Sequence, residues 1–301
     1  MKNMIDELIN PFKIFGFLCR RYDFKMLSDE MYLKLRYKAV FGTKLNLNNP
    51  KGYNEKLQWL KLYDRNPQYT MMVDKYEVKQ YISGVIGERY IIPTIGVWDS
   101  FEDIDFDALP EQFVLKCTHD SGGIVICKDK KCFDINEARS KINKSLKRNF
   151  FYEGRQWPYK NVRPRIIAEK YMVDESGYEL KDYKFFCFNG DPKIMFVATD
   201  RTTLNEETKF DFYDMDFEHL SISNGHPLST KSIKKPGTFD EMRELASILA
   251  ANIPHVRIDF YDINGQIYFG EMTFYHHSGF CPFEPNEWDI KLGEWIDLPH
   301  R

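Results

Sequence analysis

The sequence lacks most of the features that mark the commoner special classes of protein. No apolar run approaches the about 20 residues a helix needs to span a bilayer. The 42 Lys and Arg are offset by 45 Asp and Glu, for a formal net charge of −3, and no long basic run breaks that balance. This argues against nucleic acid as a partner. The six cysteines (Cys19, Cys117, Cys127, Cys132, Cys187 and Cys281) show no CxxC spacing. Most sit inside apolar runs, as buried free thiols do in a reducing cytosol. There is no internal repeat, no low-complexity tract, and no Ser-His-Asp or Cys-His signature of a nucleophilic enzyme. What the chain does have is 24 Phe and 18 Tyr in 301 residues, which implies thick aromatic cores.

One N-terminal segment reads in two ways. "INPFKIFGFLCRRY" (9–22) is short, apolar and followed by Arg20-Arg21, without the length or cleavage site of a signal peptide. It is read as a helix packing on the body, with shallow contact at the inner face of a membrane as the second reading. The expected location is cytoplasmic.

Apolar positions at three- and four-residue steps then predict helices across residues 24–85, broken by the loop "LNLNNPKGYN". Ser28 is the expected N-cap of the first, with Glu30 in its opening turn. "TMMVDKYEVKQYISGVIG" reads as a further helix carrying Lys75. From residue 90 short strands take over, interleaved with helices at "INEARSKINKSLKRNFFYEG" and "FDEMRELASILAANI". Asn-Gly-Asp-Pro (189–192) and Asp-Ile-Asn-Gly (262–265) are hairpin turns. The fold class is α+β, without the regular alternation of a Rossmann sheet.

Two stretches carry chemistry. In "VRIDFYDINGQIYFGEMTF", period-two alternation places Arg257, Asp259 and Tyr261 on one face, and Phe269, Glu271 and Thr273 on one face of the partner strand. Facing carboxylates on a buried strand pair need a cation between them. Mg2+ shared with phosphate oxygens would serve, and so would an internal Arg257 ion pair; spacing leaves both open. In "VLKCTHDSGGIVICKD" (114–129), Lys116 ends one strand and Ser121, Gly122 and Gly123 turn into the next. Such a turn can close over phosphates with its backbone N–H groups.

The order of features, with "VDKY", "VLKCTHDSGG", "PRIIAEKY", "DYKFFCFNGDPK" and "EWDIKLGEW", resembles the ATP-grasp superfamily, and within it the teichuronopeptide-biosynthesis (TupA-like) type of bacterial polysaccharide gene clusters. The resemblance covers roughly residues 30–298. It implies ATP and Mg2+ as cofactors and a nucleotide held between two α+β subdomains. The expected organisation is a helical region at 1–88, a small subdomain with the lid hairpin at 89–168, and a large subdomain with the metal and acceptor site at 169–301. By resemblance Lys75 and Lys116 contact the nucleotide, while His119, Ser121, Gly122 and Gly123 form the lid. Glu169, Lys170 and Met172 belong to the hinge segment that holds the adenine edge. Asp182 stands at the ribose, and Lys184 at phosphate or acceptor. Asp259 and Glu271 match the metal ligands, and Arg257 the guanidinium that steadies the transferred phosphoryl. Thr273 replaces the usual Asn as third ligand. "YHHSGF" (275–280) would line the acceptor pocket.

The implied activity is ATP-dependent ligation of a carboxylate to an amine through an acyl phosphate. The partners are small-molecule or glycan carboxylates and amines, such as a uronic acid and an amino acid of a surface polysaccharide. Two rivals stand beside it. One is a glycosyltransferase, for which "DFDAL" and "YDMDF" offer DxD spacing; the other is a non-catalytic nucleotide-binding protein of the assembly complex.

Overall fold

The computed structural model describes residues 14–15, 18, 23–177, 180–200, 207–230 and 232–300. Most of the 9–22 segment, Cys19 included, lies outside these; of the three residues of it that are described, Phe15 packs its ring on Phe24 and Tyr32. Among the described residues no helix is long and apolar enough to cross a membrane.

The expected helices form where capping and periodicity place them. Helix α1 (Asp29–Phe41) begins at Ser28, whose hydroxyl accepts from the Met31 N–H at 3.3 Å. Helix α2 (Tyr53–Tyr63) follows after the Asn-Pro loop. The stretch expected as a third helix is instead two, α3 (Gln68–Val73) and α4 (Glu77–Val85). Asp74 interrupts it: its Oδ1 accepts from the N–H groups of Tyr76 and Glu77 at 2.8 and 3.3 Å, capping α4. Lys75 therefore lies in a turn, not on a helix.

Strands β1 (Thr94–Trp98), β2 (Phe113–Cys117), β3 (Ile124–Cys127) and β4 (Ile166–Lys170) form an antiparallel sheet in the order β1-β4-β2-β3. Helix α5 (Ile135–Leu146) covers it, capped by Asp134, and the pair has its own core around Phe113, Leu115, Ile142 and Ile166. β4 runs to Lys170, so the expected boundary at 168 falls inside this sheet.

The larger sheet has six strands in the order β10-β9-β5-β6-β7-β8. These are β5 (Asp182–Phe188), β6 (Asp191–Thr199), β7 (Lys209–Asp214), β8 (His219–Leu220), β9 (His255–Ile263) and β10 (Gln266–Thr273). Both Asn-Gly turns form as expected, with Asn189 and Asn264 left-handed at φ 50° and 54°. Helix α6 (Phe239–Leu249) packs one face through Phe239 against Phe185. The opposite face receives Tyr53 of α2 against Phe186 and Phe188. A last helix, α7 (Glu287–Glu294), packs on α2. Helices α1 to α4 thus share one hydrophobic core with the large sheet and do not form a separate helical unit.

β5 is buried along its whole length, so each polar group on it must find a partner. Behind the site, Tyr53 and His255 meet this demand together. The His255 Nδ1–H donates to the Cys187 carbonyl at 2.9 Å, which leaves Nε2 to accept from the Tyr53 hydroxyl at 2.9 Å. Burial lowers the His255 pKa to about 3, so the ring is neutral. Tyr53→Phe is expected to cost about 1–3 kcal/mol in denaturant unfolding, because it leaves a buried acceptor unpaired. An unchanged midpoint would contradict this pairing.

Candidate functional site

The register of β9 and β10 builds the centre of the site. Phe269 pairs with Phe260, but the next pairs are Glu271 with Asp259 and Thr273 with Arg257. A bulge at Gly270 causes the shift, which simple alternation from Phe269 does not anticipate. A Cβ on Gly270 would stand 3.1 Å from the Asp259 carbonyl, a tight contact that the backbone there could relieve only by shifting a few tenths of an ångström. Without the bulge Glu271 would pair with Ile258 and point into the core.

Arg257 is only 7% exposed and Asp259 is fully buried. Arg257 Nε and Nη2 donate to the two Asp259 oxygens at 2.7 Å each. Nη2 also reaches Glu271 Oε1 and Thr273 Oγ1, both at 3.0 Å. Lys184, opposite Asp259 across β5 and β9, contacts Asp259 Oδ2 and lies 2.5 Å from Asp182 Oδ2. Burial pushes the Asp259 carboxyl up from its ordinary value, opposed by Arg257 and Lys184. Both its oxygens accept from groups that can only donate, so it is ionised. Burial works against the guanidinium as well, but Asp259 more than offsets that and raises the Arg257 pKa.

The residues expected to hold a metal, Asp259, Glu271 and Thr273, all accept from Arg257. Asp259 is committed to two cations and Thr273 serves as an acceptor for Arg257. Among the described residues no three His, Cys, Asp or Glu groups converge as a metal cage. Glu271, with a side chain 40% exposed, is the carboxylate that reaches the cleft. A divalent cation held by Glu271 and Asp259 would share with Arg257 and Lys184 the task of answering these carboxylates.

The loop after β10 orients Arg257 from behind. Nη1 lies 2.7 Å from His276 Nδ1, and His276 Nε2 lies 2.8 Å from Asn224 Oδ1. Arginine can only donate, so Nδ1 accepts and Nε2–H donates to Asn224. Burial, then His277 and Arg257, hold the ring well below its ordinary pKa, keeping it neutral. His276 thus supports Arg257 from behind. His277 and Ser278 next to it are left-handed, at φ 47° and 56°.

On the small sheet, Glu169 of β4 sits between two ammonium groups, Lys116 at 2.6 Å and Lys79 at 2.5 Å. Burial would raise the Glu169 pKa, but Lys116 and Lys79 prevail and lower it. Lys79 is a cleft-lining cation that the sequence reading did not single out. It stands four positions after Lys75, a spacing that could have marked it. The Lys170 N–H is given to the Pro93 carbonyl at 3.1 Å, so it is not a free donor for an adenine edge. Met172 lies beyond β4 and is half-buried.

The lid hairpin differs most from expectation. The Gly122 and Gly123 N–H groups, expected to await phosphate, donate to Asp120 Oδ1 at 3.3 and 3.1 Å. Asp120 Oδ2 in turn contacts the Ser145 hydroxyl of α5. His119 is buried, its Nε2 3.1 Å from the carbonyls of Ser145 and Arg148, so it anchors the hairpin to α5 and does not face the cleft. Lys75 Nζ donates to the Asp120 carbonyl at 2.5 Å.

Two cavities result. A narrow one of about 110 Å³ lies between the sheets, lined by Lys79, Lys116, Glu169 and Asp182 among others. A polar one of about 440 Å³ is lined by Lys184, Arg257, Thr273, His276 and His277 among others. Lys75, Ser121 and Glu271 line both and mark where they meet.

A cation-lined cleft between two antiparallel α+β sheets, opening onto a second cavity, defines a two-sheet clamp of the ATP-grasp class. The chain belongs to the TupA-like ATP-grasp family, whose family model matches residues 55–297. No curated protein matches it. Among solved structures it is similar to D-alanine–D-alanine ligase from Helicobacter pylori at 13% identity and a TM-score of 0.42, over 83% of this chain and 70% of that one. The ligase from Bacillus anthracis complexed with ATP gives 16% and 0.41, over 81% and 70%. N5-carboxyaminoimidazole synthase from Aspergillus clavatus gives 11% and 0.40; the chain covers 52% of that protein's length, and the match takes in 76% of its own.

The two facing carboxylates should behave differently. Asp259→Asn leaves Arg257 and Lys184 buried without their counter-charge and is expected to cost about 3–5 kcal/mol. Glu271→Gln removes a half-exposed partner and should cost less than about 1 kcal/mol. Denaturant unfolding without nucleotide checks this, and equal losses in both variants would contradict the network.

Proposed function

We propose that the protein is an ATP-dependent carboxylate–amine ligase that joins an amino acid or other amine to a uronic acid of a bacterial surface polysaccharide. One observation carries this reading: two cavities of unequal size and different lining share Lys75, Ser121 and Glu271 as their common border. The smaller offers ammonium groups and a ribose-facing carboxylate, Asp182, to a nucleotide. The larger offers room and polar contacts to an acceptor. The transferred phosphoryl group would lie at the border.

There the acceptor carboxylate attacks the γ-phosphorus, ADP leaves, and an acyl phosphate forms. The amine then displaces inorganic phosphate, and the nitrogen loses a proton to give the amide. No protein nucleophile is required, because catalysis consists of positioning and charge stabilisation. Arg257, fixed by Asp259 and His276, presents its guanidinium to the transferring group. Lys116 and Lys75 hold phosphates, and Ser121 is the lid residue that faces both cavities. Glu271, with Asp259 behind it, would hold Mg2+, which when bound neutralises charge on the phosphoryl oxygens.

Two alternatives bear on the same residues. The DxD spacings that suggested a glycosyltransferase find a use in turns: Asp105 accepts from the Asp107 and Ala108 N–H groups, and Asp214 from those of Asp216 and Glu218. The saturated Asp259 favours, as a second reading, a nucleotide-binding protein without turnover.

Incubation with ATP, Mg2+ and panels of amino acids and uronic acids should release ADP only when an acceptor pair is present. Glu271→Gln should reduce this release by at least about 100-fold while the protein stays folded. Lys116→Ala should weaken binding of a nonhydrolysable ATP analogue by about 30-fold, the scale of a charge-assisted contact. Binding without ADP release for any pair would select the non-catalytic reading. Unchanged analogue affinity in Lys116→Ala would remove the nucleotide assignment.

A further inference from the structure

The charges around the larger cavity do not balance. Its walls include Arg36, Lys75, Glu153, Lys184, Arg257 and Glu271. Glu153 is neutralised by Arg148, and Glu271 by Arg257. Lys184 and Arg257 together face three carboxylates, Asp182, Asp259 and that same Glu271. Among the described residues, Arg36 and Lys75 make no ion pair. Lys75 sits on the border with the nucleotide cleft, where phosphates account for it. Nothing in the proposed reaction accounts for Arg36.

Arg36 is also held as a binding group is held. It projects from α1, outside the residues the family model matches. Its guanidinium lies 4.4 Å from the centre of the Phe280 ring, and Nη1 donates to the Tyr32 hydroxyl at 2.8 Å. The wall beside it is rigid: Lys61, fully buried, donates to the Gly154 and Ser278 carbonyls at 2.7 Å each. A cation stacked on an aromatic ring keeps its N–H fork oriented and loses little entropy when it meets a carboxylate or phosphate.

We propose that Arg36 is a specificity-determining residue, binding a second anionic group, carboxylate or phosphate, on the molecule that enters the larger cavity beside the nucleotide. This rests on the reading of that cavity as the acceptor site. It selects acceptors that carry two anionic groups, one to be activated near Arg257 and one held on the α1 wall.

The test uses the full chain saturated with Mg2+ and a nonhydrolysable ATP analogue. Calorimetry compares glucuronate (one carboxylate), glucarate (two carboxylates) and glucuronic acid 1-phosphate (one carboxylate and one phosphate). The wild type is expected to bind at least one of the two dianionic probes about tenfold or more tighter than glucuronate. Which of them is preferred identifies the second group. Arg36→Met, which keeps the aliphatic stem, should abolish the preference and leave glucuronate affinity unchanged. Arg36→Lys, which keeps the charge without the fork, should retain part of it. Melting curves establish that both variants are folded, and if Arg36→Met is not, the partial loss in Arg36→Lys decides. Equal affinity for all three probes in the wild type, a preference that survives in Arg36→Met, or no binding of any probe to the loaded protein would overturn the proposal. Failure to bind the ATP analogue would strike the nucleotide reading instead.

Discussion

The pairing of Arg257 with Asp259 is the constraint around which the larger sheet is arranged. A guanidinium on a central strand, away from water, is tolerable only if its charge and its donors are all answered. Asp259, two residues on, answers it bidentately, and the bulge at Gly270 turns Glu271 and Thr273 towards it. The remaining Nη1 fixes the tautomer of His276, and through it Asn224, which donates to the Cys281 and Pro282 carbonyls at 3.3 and 2.9 Å. A loop that would otherwise be free to drift is thereby tied to a strand. The wall of the larger cavity is set by the same charge that, in the proposed reaction, would meet the phosphoryl group.

Much of this framework was legible in the residues because it depends on local chemistry. The Asn-Gly turns specify both hairpins, Ser28 and Asp134 cap their helices, and the fully apolar character of "FFCF" announces a strand buried on both faces. Family motifs brought Lys116, Glu169, Asp182, Arg257 and Glu271 to the walls of two adjoining cavities, with Asp259 buried behind Arg257. What alternation and periodicity could not reveal are the events that interrupt them. The break at Asp74 requires knowing that its side chain caps the following turn. The Gly270 bulge requires knowing what lies across the strand.

The other misses are long-range. Lys79 and Lys116 are far apart in sequence and converge only because Glu169 lies between them. His119 sits in a lid-like motif, yet its environment is made by α5, which follows some twenty residues later. Arg36 belongs to a helix whose residue pattern does not set it apart, and its place in the cavity depends on Phe280 and Gly154 from distant loops. Pair contacts of this kind carry no signature in a single sequence.

The hydrogen bonds within the lid have a thermodynamic meaning of their own. With Asp120 seated on the Gly122 and Gly123 amides, the hairpin holds an internal competitor for the phosphate proposed to bind there. Any incoming anion must displace a tethered carboxylate of high effective concentration, so the intrinsic affinity of those amides is discounted by the fraction of lids in which Asp120 has let go. A lone phosphate ion has few other contacts with which to offset that discount. A nucleotide, anchored at the same time by the lysines of the cleft, has many. In the proposed reaction the lid would thereby act as a threshold against small anions.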